Sequence, residues 1–185
     1  MNYGIKKFIK ENLQLIDEGN WDEFYSKVGD NTSVGDIFQM DNYIGELTEF
    51  LMSCGCNPME GFTRSIPAAF LSGSVLSEVH ITSNIWSIGC NAFAGMRNIT
   101  SVHIPANVEV INLHCFEGCE NLTFVKIDNP DISIHETAFD HCGKLRSIDF
   151  SGTVLDWREK DIILYDAVVT CTDGCVIYDK RGDFI

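Results

Sequence analysis

Positive charge is scarce in this chain: 13 lysines and arginines stand against 27 aspartates and glutamates, a formal net charge of −14. A surface with that balance repels nucleic acid and anionic membrane and speeds encounter with a basic protein. Long apolar runs are missing as well. No stretch approaches the roughly 18 uninterrupted apolar residues of a spanning helix. The N-terminal MNYGIKKFIKENLQLIDEGN interrupts its apolar residues with Lys, Asp and Glu, unlike a secretory signal. A cytoplasmic protein without membrane contact is expected. Catalytic signatures are absent too, with no G-x-S-x-G, Walker A loop, G-x-G-x-x-G, H-E-x-x-H or EF-hand pattern. No catalytic residue, resident metal or cofactor is expected.

What the chain does contain is a repeat. LSEVHITSNIWSIGCNAFAGMRN (76–98), ITSVHIPANVEVINLHCFEGCEN (99–121) and LTFVKIDNPDISIHETAFDHCGK (122–144) superpose without a gap at a period of 23 residues. Leu76, Ile99, Leu122 and Leu145 start the units. Val79, Val102, Val125 and Ile148 form a second column, Ile81, Ile104, Ile127 and Phe150 a third, Ile88, Ile111 and Ile134 a fourth, and Phe93, Phe116 and Phe139 a fifth. The alternation of the second and third columns around a polar residue is that of a strand. The IGCNAFAG-type return ends at Gly95 or Gly118, where a chain reverses at low steric cost. A unit this short cannot bury its own apolar side, so the units must stack into a solenoid with one continuous parallel sheet. The half-unit SIPAAFLSGS (65–74) fits the return of a preceding coil, with Ala69 and Phe70 placed before Ala92 and Phe93. Asp131 departs from the column of Ile85 and Val108, and Ile132 is expected to fill that slot after Pro130.

The same columns account for most of the conspicuous residues. Cys119 and Cys142 continue the column that Met96 opens, and Cys115 shares one with Ala92 and Ala138, so these cysteines are expected as small core fillers. Asn98 and Asn121 recur one repeat apart, as end-of-coil asparagines whose side chains bond backbone groups. Cys54-x-Cys56 and Cys171-x-x-x-Cys175 lack the paired geometry of a structural zinc site. The latter encloses Asp173-Gly174, a hairpin signal, in a tail of two expected strands. Arg181-Gly182-Asp183 is expected as a plain turn.

The L-x-x-V-x-I strand, the Ile104-Pro105 dipeptide and the x-A-F-x-G-C return closely resemble the BspA-type leucine-rich repeat, over about residues 65–157. SGTVLDW (151–157) is similar to the way such arrays end. The resemblance implies a non-enzymatic protein-protein interaction scaffold, with adhesion or surface binding as the alternative. The expected fold is α+β: an acidic helical N-terminal domain (1–63), a short leucine-rich repeat solenoid (64–157) and C-terminal capping strands (158–185).

Before the repeat, Ile5, Phe8, Ile9, Leu13 and Ile16 mark the apolar face of a first helix ended by Gly19. A second is expected over 21–28, with Asp22 and Glu23 in its first turn, and a third over about 42–54. Together they would cap the open first coil. From Glu11 to Thr63 this region carries eleven carboxylates and one base, Lys27. Asp17, Glu18, Asp22, Glu23, Asp36, Asp41, Glu46 and Glu49 are the candidate acidic face for a basic protein partner. The leader containing IGELTEFLMSCGCNPME is similar to leaders of short phage-encoded repeat proteins. That similarity implies a host-cytoplasmic inhibitor of a nucleic-acid-handling enzyme, an anti-CRISPR or similar counter-defence protein.

The second candidate surface is the outward side of the repeat strands, where Glu78, Ser101, Phe124 and Ser147 stack in one row and His80, His103, Lys126 and Asp149 in the next. Phe124, an aromatic flanked by polar groups, suits an interface hot spot. His80 and His103 on neighbouring rungs would be the ligands of a metal-dependent enzyme. Two histidines without a nearby carboxylate or thiol hold a metal poorly, and a mixed solvent-facing sheet is the simpler expectation.

Overall fold

The computed structural model describes residues 9–20, 22–24, 27 and 65–185. From Ser65 onward the chain winds as a β-solenoid of about five turns. The coils at 99–121 and 122–144 each contribute two extended legs, so the stacked coils build two sheets instead of the single one expected. The long legs are β3 (Ser101–Ile104), β5 (Phe124–Ile127) and β7 (Ser147–Phe150), joined by β8 (Ala167–Cys171) and β9 (Gly174–Tyr178) in the order β3-β5-β7-β8-β9. The short legs, β1 (Ser65–Ile66), β2 (Ser87–Ile88), β4 (Val110–Ile111) and β6 (Ser133–Ile134), form a second parallel sheet. All pairings are parallel except the β8–β9 hairpin.

The apolar columns are the core. Val102, Val125 and Ile148, then Ile104, Ile127 and Phe150, point inward from the long strands and are buried. Ile88, Ile111 and Ile134 close the core from the short strands. Phe93 and Phe116 stack with centroids 5.3 Å apart, and Phe116 and Phe139 follow at 5.5 Å with rings inclined by 6°. Cys115 and Cys119 are wholly buried, among six free cysteines in the described residues. Cys119 Sγ donates to the Phe93 carbonyl and Cys142 Sγ to the Phe116 carbonyl, at 3.2 and 3.1 Å.

The corners repeat as strictly as the core. Gly73, Gly95 and Gly118 all lie near φ +70°, and in the next coil His141 takes the same left-handed corner at φ 58°. A side chain there carries a steric cost of roughly 1–2 kcal/mol, which Ala69, Asn91 and His114 also carry at a second left-handed corner of the earlier coils. The asparagines clamp adjacent coils: Asn98 Nδ2 donates to Val75 O and Asn121 Nδ2 to Arg97 O, each at 2.7 Å. Asn107 and Asn129 donate likewise to Ile85 O and Val108 O. After Pro130, Asn129 Oδ1 accepts the Asp131 N–H, turning Asp131 to solvent and Ile132 into the core.

The first coil differs from the repeat pattern. Ser65 pairs with Ser87, a separation of 22 residues, whereas Ser87 pairs with Val110 after 23. The bonds Leu71 N–H to Ala92 O and Gly73 N–H to Ala94 O continue this shift, so Leu71 and not Phe70 is in register with Phe93. LSEVHI (76–81) forms no strand, and the long sheet begins at β3. An end rung has a neighbour on one side only and loses half of its ladder bonds.

At the other end, α2 (Val154–Arg158) opens with a capping box in which Thr153 and Asp156 bond each other's backbone N–H. Its Trp157 is buried edge-on to Phe150 and donates Nε1–H to Tyr178 Oη, which donates to Ile162 O. Lys160 Nζ donates to Ile132 O at 2.7 Å, protecting the end of the short sheet. Burial pulls the Lys160 ammonium below its ordinary pKa. Arg181-Gly182-Asp183 is a turn held by Asp179 Oδ1, which accepts the N–H of Arg181 and of Asp183.

In the N-terminal part, residues 9–11 are helical, the chain turns at Asn12, and α1 (Leu13–Asp17) follows. Gly19 ends it at φ 65°, with Asn20 N–H on Leu15 O. Ile9 and Ile16 of the expected face pack against the core, but after the turn at Asn12 Leu15 is buried and Leu13 is 49% exposed. Asn20 begins the next helical segment, accepting Glu23 N–H and donating to its carboxylate. Leu15 and Phe24 join the same apolar cluster as the solenoid core. The third expected helix and Asp36, Asp41, Glu46 and Glu49 lie outside the described residues.

The phenylalanine ladder carries its own test. Phe116→Ala, which leaves a void between two stacked rings, should cost about 3–5 kcal/mol in urea unfolding. A loss under about 1 kcal/mol would show that the ladder does not hold the coils together.

Candidate functional site

The long sheet turns its inner face to the core and its outer face to solvent, so every second residue forms an exposed row. The first row reads Ser101, Phe124, Ser147, Val168 and Ile177 across β3, β5, β7, β8 and β9. Phe124, Val168 and Ile177 are each 37% exposed, an apolar stripe interrupted by Ser147. The second row reads His103, Lys126, Asp149, Thr170 and Cys175. The two rows expected from the repeat therefore stand side by side from β3 to β7. Their extension through Val168 and Ile177 was missed, although AVVTC (167–171) alternates buried and exposed as a further rung must.

Glu78 and His80 do not join these rows, because their segment is not a strand. They are exposed and lie 3.8 Å from one another. His103 makes its contact with a carboxylate. Its Nε2 lies 2.6 Å from Asp128 Oδ2, a carboxylate just past the end of β5, and Lys126 Nζ meets Asp128 Oδ1 at 2.9 Å. Sequence reasoning saw no carboxylate beside His103, because Asp128 approaches from the next coil. The His103 and Lys126 hydrogen bonds hold the Asp128 carboxyl below its ordinary pKa, and Asp128 raises that of Lys126. Arg146 and Asp166 form a further pair, with Arg146 Nε 3.7 Å from Asp166 Oδ2. These pairs partly offset the carboxylates beside the stripe. No three His, Cys, Asp or Glu side chains among the described residues are grouped to hold a metal ion.

Of the acidic candidates, Glu18, Asp22 and Glu23 are exposed, and Asp17 ends α1. Gln14 Nε2 donates to the Glu18 carboxylate, and Lys27 pairs with Glu23 at 3.2 Å. No described helix is long and apolar enough to cross a membrane.

Asp128 yields a pH prediction. Its folded-state pKa is depressed, so its contribution to stability is present above the ordinary carboxylate value of about 4 and lost as pH falls through the folded value. Native protein should lose stability below about pH 4, and Asp128→Asn should flatten that part of the profile in thermal melts across pH 2–6. Identical acid limbs in the two proteins would exclude Asp128 as a contributor.

No curated protein and no solved structure matches the chain. A family model described as BspA type leucine rich repeat region (6 copies) matches residues 64–160, more than half of the chain. With its stacked coils and its solvent-facing strand rows, the chain belongs to the BspA-type leucine-rich repeat family, whose arrays are interaction or adhesion scaffolds.

Proposed function

We propose that this protein is a non-enzymatic binding module that docks its acidic N-terminal part on a basic protein surface. The observation that carries the reading is the uneven charge: eleven carboxylates against one base between Glu11 and Thr63, in a chain of net charge −14. The exposure of Glu18, Asp22 and Glu23 supports it, because charges in water at a surface steer a partner of opposite sign. In its sharpest form, the partner is a host enzyme that handles nucleic acid, whose basic surface the protein occupies in the cytoplasm. An anti-CRISPR or similar counter-defence inhibitor, encoded by a phage, would act this way.

The second reading is an adhesion or surface-binding module working through the strand face. The apolar stripe of Phe124, Val168 and Ile177 favours it. The two are separable with one partner and two variants. Asp17→Lys, Glu18→Lys, Asp22→Lys and Glu23→Lys together should weaken binding at least tenfold and reduce its salt dependence, while Phe124→Ala changes it little. Titration calorimetry at two salt concentrations, with an inhibition assay on the bound enzyme, reads both effects. If the charge reversals leave binding and inhibition unchanged and Phe124→Ala abolishes binding, the acidic-face mechanism is wrong and the strand face is the site.

A further inference from the structure

Cys119 and Cys142 occupy successive rungs of one column. The residues before them are in register through the bond from Gly118 N–H to Asp140 O, 2.9 Å long. Adjacent rungs stand about 4.8 Å apart, within the Cα separation of roughly 4.4–6.8 Å that disulfides span. Each thiol donates to a main-chain carbonyl of the preceding coil, Cys119 to Phe93 O and Cys142 to Phe116 O, and the neighbouring Cys142 thiol together with burial pushes Cys119 well above the ordinary thiol range. Neither is in a disulfide.

The two differ in access. Cys119 is wholly buried, whereas Cys142 is half-buried and lines a cavity of about 380 Å³ walled by Phe139, Leu145, Ile163, Leu164 and Tyr165. Beside it Gly143 is exposed, with open space where a side chain would stand. A small molecule entering the cavity therefore meets one thiol directly and the second only through the first. That is the arrangement of an attacking and a resolving cysteine.

We propose that Cys142 and Cys119 form a thiol–disulfide exchange site, whose substrate is a small-molecule disulfide of the glutathione class and whose product is a cross-link between adjacent coils. In the first step the Cys142 thiolate attacks one sulfur of the disulfide RS–SR. A Cys142–SR bond forms, the S–S bond breaks, and RS⁻ leaves and takes up a proton. In the second step Cys119 attacks the Cys142 sulfur and expels the second RS⁻, which takes up the Cys119 proton. Two protein thiols are oxidised to one disulfide, and one small disulfide is reduced to two thiols. Burial of Cys119 makes the second step the slower one and makes it faster at higher pH. The cross-link closes a loop of one coil and fastens the returns below the fourth corner. It requires no partner protein, so it stands or falls separately from the binding reading.

The test uses the full reduced chain with oxidised glutathione, followed over time by non-reducing peptide mapping. A glutathione adduct on Cys142 should appear first and give way to a peptide linking Cys119 to Cys142. The melting temperature should rise by roughly 5–10 °C and return on adding dithiothreitol. Cys119→Ala should stop at the Cys142 adduct, and Cys142→Ala should leave Cys119 unmodified. The exposed Cys175 reports reagent activity. The wild-type map decides the matter even if a variant fails to fold. An adduct on Cys175 with Cys142 untouched overturns the proposal, as does a stable Cys142 adduct that Cys119 never resolves. Equal modification of Cys115, Cys119 and Cys142, the mark of general unfolding, overturns it as well.

Discussion

Every coil is held to the next by main-chain hydrogen bonds that run between equivalent residues, both in the strands and at the corners. Asn91 N–H bonds to Leu113 O, Phe93 N–H to Cys115 O and Gly95 N–H to Glu117 O, so three consecutive alternate residues of one return are locked onto the next. Once that register is set, side chains have no freedom to choose neighbours: each sits on its counterpart one coil away. Phe93, Phe116 and Phe139 stack in this way, and the left-handed corner of Gly95 recurs at Gly118 and His141. The identity of the columns, the asparagine clamps and the glycine corners are all consequences of this one constraint.

The same constraint explains what was legible in the sequence. The Val, Ile and Phe columns and the outward rows through Phe124 and Lys126 depend only on residue spacing, and the register reproduces them. The second sheet was not legible, because Ser87–Ile88 and its counterparts are two residues long and offer no alternation to read. The first coil misled for the opposite reason: SIPAAFLSGS matches the later returns in residue type at one offset and in hydrogen bonding at another. Leu13 misled because helical spacing was carried through Asn12, where the helix is interrupted. Pairs such as His103 with Asp128 bridge coils between positions that do not recur, so no column announces them.

On the candidate strand face, charge and apolarity are arranged in parallel lines. Asp128 is engaged by His103 and Lys126, and Asp166 by Arg146, so the carboxylates beside the stripe are partly offset where the rest of the chain is strongly negative. An apolar row between paired charges is inexpensive to desolvate compared with a row between unpaired ones. This makes the face suited to close contact with a surface of little net charge, whereas the basic partner proposed for the leader would be drawn by long-range attraction. The two surfaces thus favour different physical classes of partner, and both classes remain consistent with an interaction scaffold.

Besides the first coil, the array departs from its own pattern at several places in the fourth. Asp131 leaves the core column, His141 occupies a corner that glycine holds in three earlier coils, and Cys142 follows it into an open cavity. His141 brings its Nδ1 to 3.4 Å from one oxygen of Glu117, while His114 Nδ1 lies 3.3 Å from the other, off the direction of a hydrogen bond. The left-handed corner at His141 thus adjoins the one cysteine of the column that solvent can reach.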